Sequence, residues 1–452
     1  MPCTVRRTYL LRFSCVSSTH RSYFKSNAPF SLYAAGNRLY VLSDPNDIKA
    51  VLANSKTLTW ADQVQTVLTS AFGLSREGSS RLVMDVPGAG SLLDNSGQFY
   101  KYHLAQSDEL ESLFRRVLEE LSALIQPESI PRDVPLWDWT QRTMFLAVTR
   151  ALYGPGMLAR HETLYEDFLL FDQGFYLLAY GLPGLRARQV RGARKRLVQA
   201  FQEELGERTR LQAESAALIL KRDAMMVDAG MTLEDRATSA LPLFWAVHTN
   251  SNKAAAYLLQ YLFADSTPQR VRAAIQDEVD AAFAGGSDLP STTVLTQDCP
   301  HLDAAVDEVL RLCTSSTSAR IVVKNTSLAG KTLYAGGRIL MPSRHLHRSE
   351  DIWGAHPERF VPDRGRWSTG DVHQQPEGVW RPFGGGQTYC PGRLLARREM
   401  MALVAFMLRR MKDVRAIVEH PGPDLQKVSF GVMEPAPRFE DVRLRFDISH
   451  SH

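Results

Sequence analysis

Residues 381 to 392 read Arg-Pro-Phe-Gly-Gly-Gly-Gln-Thr-Tyr-Cys-Pro-Gly, and this stretch constrains the chain more than any other. It sets Cys390 in a glycine-rich loop directly before an apolar-periodic run through Leu394, Leu395, Met400, Met401, Leu403, Val404 and Met407. That spacing predicts a helix beginning just after the cysteine, where the helix N-terminus favours an anionic sulfur. Gly384, Gly385, Gly386 and Gly392 free the backbone to wrap around the sulfur and donate amide hydrogen bonds to it. Such a loop can present a thiolate to a metal and lie flat against a planar cofactor. A buried free cysteine in a glycine turn is the ordinary alternative for a lone Cys.

The spacing Phe383-x-x-Gly386-x-x-x-Cys390-x-Gly392 resembles the haem-binding loop of the cytochrome P-450 family. The resemblance implies haem b with the Cys390 thiolate as axial ligand, and with Phe383, Gly386 and Gly392 shaping the loop around it. A thiolate ligand pushes electron density toward bound oxygen and favours its activation. Two further segments match in order. Glu308-Val-Leu-Arg311 lies on an expected helix with Asp298 as N-cap and Pro300 in the first turn. His356-Pro-Glu-Arg-Phe360 then offers Arg359, which by resemblance completes a Glu308, Arg311 and Arg359 network pinning the segment that carries the cysteine loop. Taken alone, a pair three apart on a helix is a weak surface contact.

Position 388 often holds Arg or His in the family; here it is Thr388, which brings one hydrogen bond and no charge to a haem propionate. Arg320 matches a recurrent propionate arginine. The helix after Leu93 offers only Lys101 and His103 as further cations, and both are expected at the surface.

The segment Leu241-Pro-Leu-Phe-Trp-Ala-Val-His-Thr-Asn-Ser-Asn-Lys falls where the family's long central helix crosses the oxygen-binding face of the haem. The family usually has an acid followed by an alcohol there, and this chain has Asn250 and Ser251. Ser251 is expected as the relay hydroxyl, with Thr249 as the alternative. An amide cannot ionise, so the acid of the relay is missing from the sequence. His248 is read as a packed or pocket-lining residue rather than a second iron ligand. Asn before the alcohol resembles the branch containing sterol hydroxylases of bile-acid synthesis and prostacyclin synthase.

The expected fold is mainly α with a minor β-sheet region, the cytochrome P-450 fold. Helical periodicity covers Glu109 to Leu124, Trp137 to Leu152, Tyr165 to Leu178, Val190 to Leu211, Leu233 to Phe263 and Gln269 to Phe283. Ser31 to Leu42 reads as a hairpin turning at Gly-Asn, followed by a helix after Asp44; strands are expected near Ile321, near Arg338 and at the C-terminus. Val361 to Val379 reads as a surface loop. A basic segment at 1–30 precedes a single expected catalytic domain at 31–452. The first segment superficially resembles a transit peptide, but no run approaches 18 apolar residues, and a shortened N-terminus is preferred. Association with the endoplasmic reticulum membrane follows from resemblance only, and organellar targeting stays open.

Five cysteines, at 3, 15, 299, 313 and 390, show no paired spacing, which argues against a disulfide framework and against a zinc site. The densest basic stretch, Arg186 to Arg196, reads as a solvated helix face, with a membrane surface or acidic partner as the alternative and no nucleic acid expected. The resemblance implies a monooxygenase that takes O2, a hydrophobic substrate (sterol, terpenoid, fatty acid or secondary metabolite) and electrons from a separate NADPH-dependent reductase. No nicotinamide or flavin motif is seen in the chain. A haem-thiolate isomerase or dehydratase acting on a peroxide, and a haem-binding paralogue without activity, are the competing readings.

Overall fold

In the computed structural model the described residues are 28–34, 36–86, 90–105, 107–364, 378–418, 433 and 442–448. The expected segment at 1–30 and the loop after Val361 therefore lie largely outside them. The chain divides into two compact units. One takes in Met1–Val64, Asp307–Cys390 and Gly431–Glu434; the other takes in Gln65–Val306, Pro391–Phe430 and Pro435–His452.

The first unit is built on a five-stranded sheet in the order Phe30–Ala34, Asn37–Val41, Arg338–Pro342, Thr317–Val322, Leu58–Thr59. The expected hairpin opens it, with Phe30 opposite Val41 and Ala34 opposite Asn37. Gly36 sits in the turn at φ +77, a left-handed conformation that suits glycine. Asn37–Val41 then pairs in parallel with Arg338–Pro342, which is far away in sequence. The helix Pro45–Ala53 follows, its first amides held by the Asp44 carboxylate as N-cap. Its Ile48, Val51 and Leu52 join Tyr40, Leu42, Val322, Ile339 and Trp353 in one apolar core.

The second unit is mostly helical. Asp108–Leu124 buries Leu110, Leu113, Phe114, Val117, Leu118 and Leu121, a stripe at helical spacing, and Ser107 caps its start. Leu136–Tyr153, Leu164–Ala179, Gln269–Ala282 and Arg393–Arg410 fall where periodicity puts them. Two expected helices are interrupted. Val190 to Leu211 becomes Leu185–Gly206 and Arg208–Glu214. Leu233 to Phe263 becomes Leu233–Thr249 and Ser251–Leu262, broken at Asn250. The first amides of Pro300–Cys313 are held by Glu278, whose carboxylate accepts from the amides of His301 and Leu302. Asp298, expected as the cap, sits at the end of the short helix before it.

Candidate functional site: a cysteine loop and a broken helix

In the first unit the cysteine loop closes on itself. The Cys390 amide donates to the Phe383 carbonyl at 3.0 Å, and Tyr389 donates to Gly386. Gly384 and Gly386 adopt φ of +75 and +61. A Cβ on Gly386 would come within 2.7 Å of the Leu52 carbonyl oxygen, so this glycine is required by the protein's own packing. Gly392, in the second unit, differs. Its φ is −83, and a Cβ there would meet only Leu104, at 4.0 Å. The protein leaves that space open, as a group lying against the backbone would require. Cys390 is half-buried, whereas the other described free cysteines, Cys299 and Cys313, are buried.

Two guanidiniums converge on this loop. Arg320 is buried; it donates to Thr388 Oγ1 at 2.9 Å and to the Ala319 carbonyl. Arg381, which sequence reasoning missed, lies against Gly385, and its Nε is buried with no hydrogen-bond partner. Burial lowers the pKa of both, and the Arg320 charge lowers that of Arg381 further. Neither pairs with a carboxylate among the described residues. A buried and a half-buried cation with no acid among the described residues are costly unless an anion joins them, and the two carboxylates of a haem would meet that need. The donor set therefore fits the group. The role expected of Thr388 changes: its hydroxyl proton goes to the Gly385 carbonyl at 3.1 Å, so the oxygen accepts from Arg320 and orients it.

The Glu308 and Arg311 pair forms within the buried core of the first unit. Arg311 donates through Nε and Nη2 to both Glu308 oxygens, each at 2.8 Å, and through Nη1 to the His347 carbonyl at 2.6 Å. The third arginine is a correction. Arg359 is exposed and offers only its carbonyl, which accepts from Arg311 and Arg364. Arg364 brings Nε to Glu308 at 3.4 Å, beside the Val361 amide at 3.0 Å. The two arginines are five apart, and only the turn after Phe360 decides which faces inward. His347 links this pair to the cysteine loop. It is fully buried, its pKa is pushed down to about 3 by burial and then by the Arg311 charge, and its neutral Nε2 accepts from the Arg381 amide at 2.9 Å.

In the second unit the helix break carries the other candidates. Ser251 donates its hydroxyl to the Val247 carbonyl at 2.8 Å, a bond that competes with the backbone ladder and bends helices. Pro242, one helical stretch earlier, removes another donor. Thr249 is buried and donates to Asp172 Oδ1 at 2.8 Å; Asn250 is half-buried. The acid absent from the sequence pair is present in space. Glu399, from Arg393–Arg410, is buried; burial pushes its carboxyl up to about 8, while a hydrogen bond with Ser251 draws it back. His248 packs among Phe145, Phe168 and Phe244, with its Nε2 3.1 Å from the Thr149 hydroxyl, and burial lowers its pKa to about 3. His103, expected at the surface, is buried against Phe99.

A mainly helical chain with small sheets and a cysteine loop of this form defines a haem-thiolate class. The chain matches the family described as Cytochrome P450 over residues 16–413, and it belongs to that family. It is 26% identical to cytochrome P450 monooxygenase poxD of Penicillium oxalicum, over 86% of this chain and 82% of that one. Against cholesterol 7-alpha-monooxygenase of Cricetulus griseus it is 23% identical, over 93% of this chain and 87% of the relative. In three dimensions it superposes on retinoic acid bound cyanobacterial CYP120A1 with a TM-score of 0.76 at 17% identity, covering 97% and 95% of the two chains. The protein is thus a P450-type monooxygenase, an oxidoreductase. Among the described residues no helix is long and apolar enough to cross a membrane, and no cluster of metal-ligating His, Cys, Asp or Glu occurs.

Proposed function

We propose that this chain inserts one oxygen atom from O2 into a hydrophobic, polycyclic substrate of sterol or terpenoid type, drawing electrons from a separate NADPH-dependent reductase. Cys390 is the axial ligand of haem b in this reading. The observation that carries it is the pairing of a half-buried cysteine in a glycine loop with two guanidiniums that reach that loop, Arg320 and Arg381, neither of which meets an acid among the described residues. When bound, haem with a thiolate ligand supplies the oxygen-activating chemistry. Arg320 and Arg381 would hold the two propionates, and Thr388 orients Arg320. Glu308, Arg311 and Arg364 keep the loop's supporting segment in place, with His347 as the link. In the second unit, Glu399 holds a proton beside the Ser251 hydroxyl, which would relay one by releasing its own bond to the Val247 carbonyl, with Asn250 the amide next to it. The substrate class rests on likeness to a cholesterol monooxygenase and to fungal monooxygenases, and on Asn preceding an alcohol.

The test is the absorption spectrum of the dithionite-reduced protein under carbon monoxide, wild type beside Cys390→Ser. A strongly red-shifted Soret band in the wild type, absent from the variant, is expected. A folded wild type that binds haem without that band would sink the assignment of Cys390. Product formation that continues without reductase would favour the peroxide isomerase instead.

A further inference from the structure

Asp172 carries no sequence motif, yet it is the most heavily engaged carboxylate near the broken helix. It lies on Leu164–Ala179, nearly buried, with three donors on its two oxygens. Trp245 Nε1 donates to Oδ1 at 2.9 Å and Thr249 Oγ1 to the same oxygen at 2.8 Å, while Lys253 Nζ reaches Oδ2 at 3.0 Å. These three donors are spaced four apart, so they form one stripe. Trp245 and Thr249 precede the break at Asn250, and Lys253 follows it. One carboxylate therefore grips both sides of an interruption that the helix's own ladder leaves weak. A second contact reinforces the grip: Phe175, three residues after Asp172, stacks on Trp245 with ring centroids 4.5 Å apart and planes 12° from parallel.

The pairing is more than a surface ion pair. Asp172 and Lys253 are only 10% and 13% exposed, and buried charged hydrogen bonds are costly to lose singly. Nothing local to residues 245–253 demands an acid at 172. We infer that Asp172 is a positioning residue that sets the break in the central helix, so that the orientation of Asn250 and Ser251 is imposed from Leu164–Ala179. This rests on the reading that Asn250 and Ser251 serve the oxygen side of the haem. Asp172 touches neither residue and acts through Thr249 and Lys253.

The experiment compares full-length, haem-loaded wild type with Asp172→Ala, Thr249→Val, Lys253→Met and the double variant of the last two. Amide exchange across 247–254 and the affinity for imidazole, read from its difference spectrum, are measured together with the carbon monoxide band. Asp172→Ala removes three hydrogen bonds and is expected to speed exchange across the break at least about tenfold, the size of one charged hydrogen bond, and to shift imidazole affinity. The carbon monoxide band should keep its position, because that position reports the thiolate ligand. Exchange and imidazole affinity at wild-type values would overturn the inference. Should Asp172→Ala fail to fold, the Thr249 and Lys253 variants decide. Effects that do not add, because both run through one carboxylate, support it; strictly additive effects overturn it. Absence of the band in wild type defeats the haem reading instead, and the exchange comparison still judges Asp172.

Discussion

The cysteine loop and the broken helix solve opposite electrostatic problems. Around the loop, cations are in excess: buried Arg320 and half-buried Arg381 lie close enough for their charges to repel, and no described carboxylate meets either. Around the break, acids and their partners are matched within the protein: Asp172 holds Trp245, Thr249 and Lys253, and Glu399 meets Ser251. Burial makes an unmatched charge expensive, so in the proposed reading the first region would take an anionic guest, whereas the second matches its acids with donors of its own. On that reading the loop would give up apoprotein stability in exchange for affinity, while the helix break is held by contacts within the protein.

The harshest way to probe the contrast is to unbalance the one matched pair that supports the loop. Glu308→Gln leaves Arg311 buried opposite a neutral amide, and the expected loss is about 3 to 5 kcal/mol, with haem incorporation lost alongside. Chemical denaturation and haem content check it; a loss below about 1 kcal/mol would remove Glu308 from the support of the loop.

Glu399 tests the matched region through pH. Its folded pKa of about 8 lies above the ordinary 4.5, so the stability it contributes is complete below 4.5 and disappears as pH rises through 8. Wild type should therefore lose stability between those limits. Glu399→Gln should flatten that slope and be the more stable protein at pH 8, by on the order of 2 kcal/mol. An unchanged slope in the variant would mean that Glu399 is ionised and differently partnered.

Arg381→Gln sharpens the comparison because its two effects have opposite signs. Removing a half-buried cation that meets no described carboxylate should raise the melting temperature of the haem-free protein. It should also weaken haem retention, by about tenfold for one charged hydrogen bond lost. Apoprotein melts and transfer of haem to apomyoglobin read the two; a fall in both would mean that Arg381 is a structural residue. The smallest effect separates two neighbours. Arg359→Ala should change stability by less than about 0.5 kcal/mol, as an exposed side chain does, whereas Arg364→Ala should exceed that clearly.

What could be read in the chain was whatever depends on neighbours close in sequence. The glycine spacing around Cys390, the three-residue offset of Glu308 and Arg311, and the stripe of Leu110, Leu113, Phe114, Val117 and Leu118 all follow from backbone geometry over one to three turns. Arg359 was misread because one turn of chain after Phe360 exchanges it with Arg364, and no periodicity reports which way an irregular segment faces. Arg381 was passed over because its importance is the absence of an acid near it, a property of space. The break at Asn250 had a trace in Ser251 and Pro242, but a single serine or proline within a long apolar run does not by itself say where a helix yields.

From the order of its residues this chain could be assigned its class and its buried Glu308 and Arg311 pair, since each is written in short-range spacing. Which acid meets Ser251, which carboxylate spans the break, and which guanidiniums converge on the cysteine loop were decided by folding, because Asp172, Glu399, Arg320 and Arg381 meet their partners or neighbours across 61 to 148 residues of chain. Hydrogen bonds and charges act over a few ångströms, and a linear sequence has no measure of distance beyond the turn it is in.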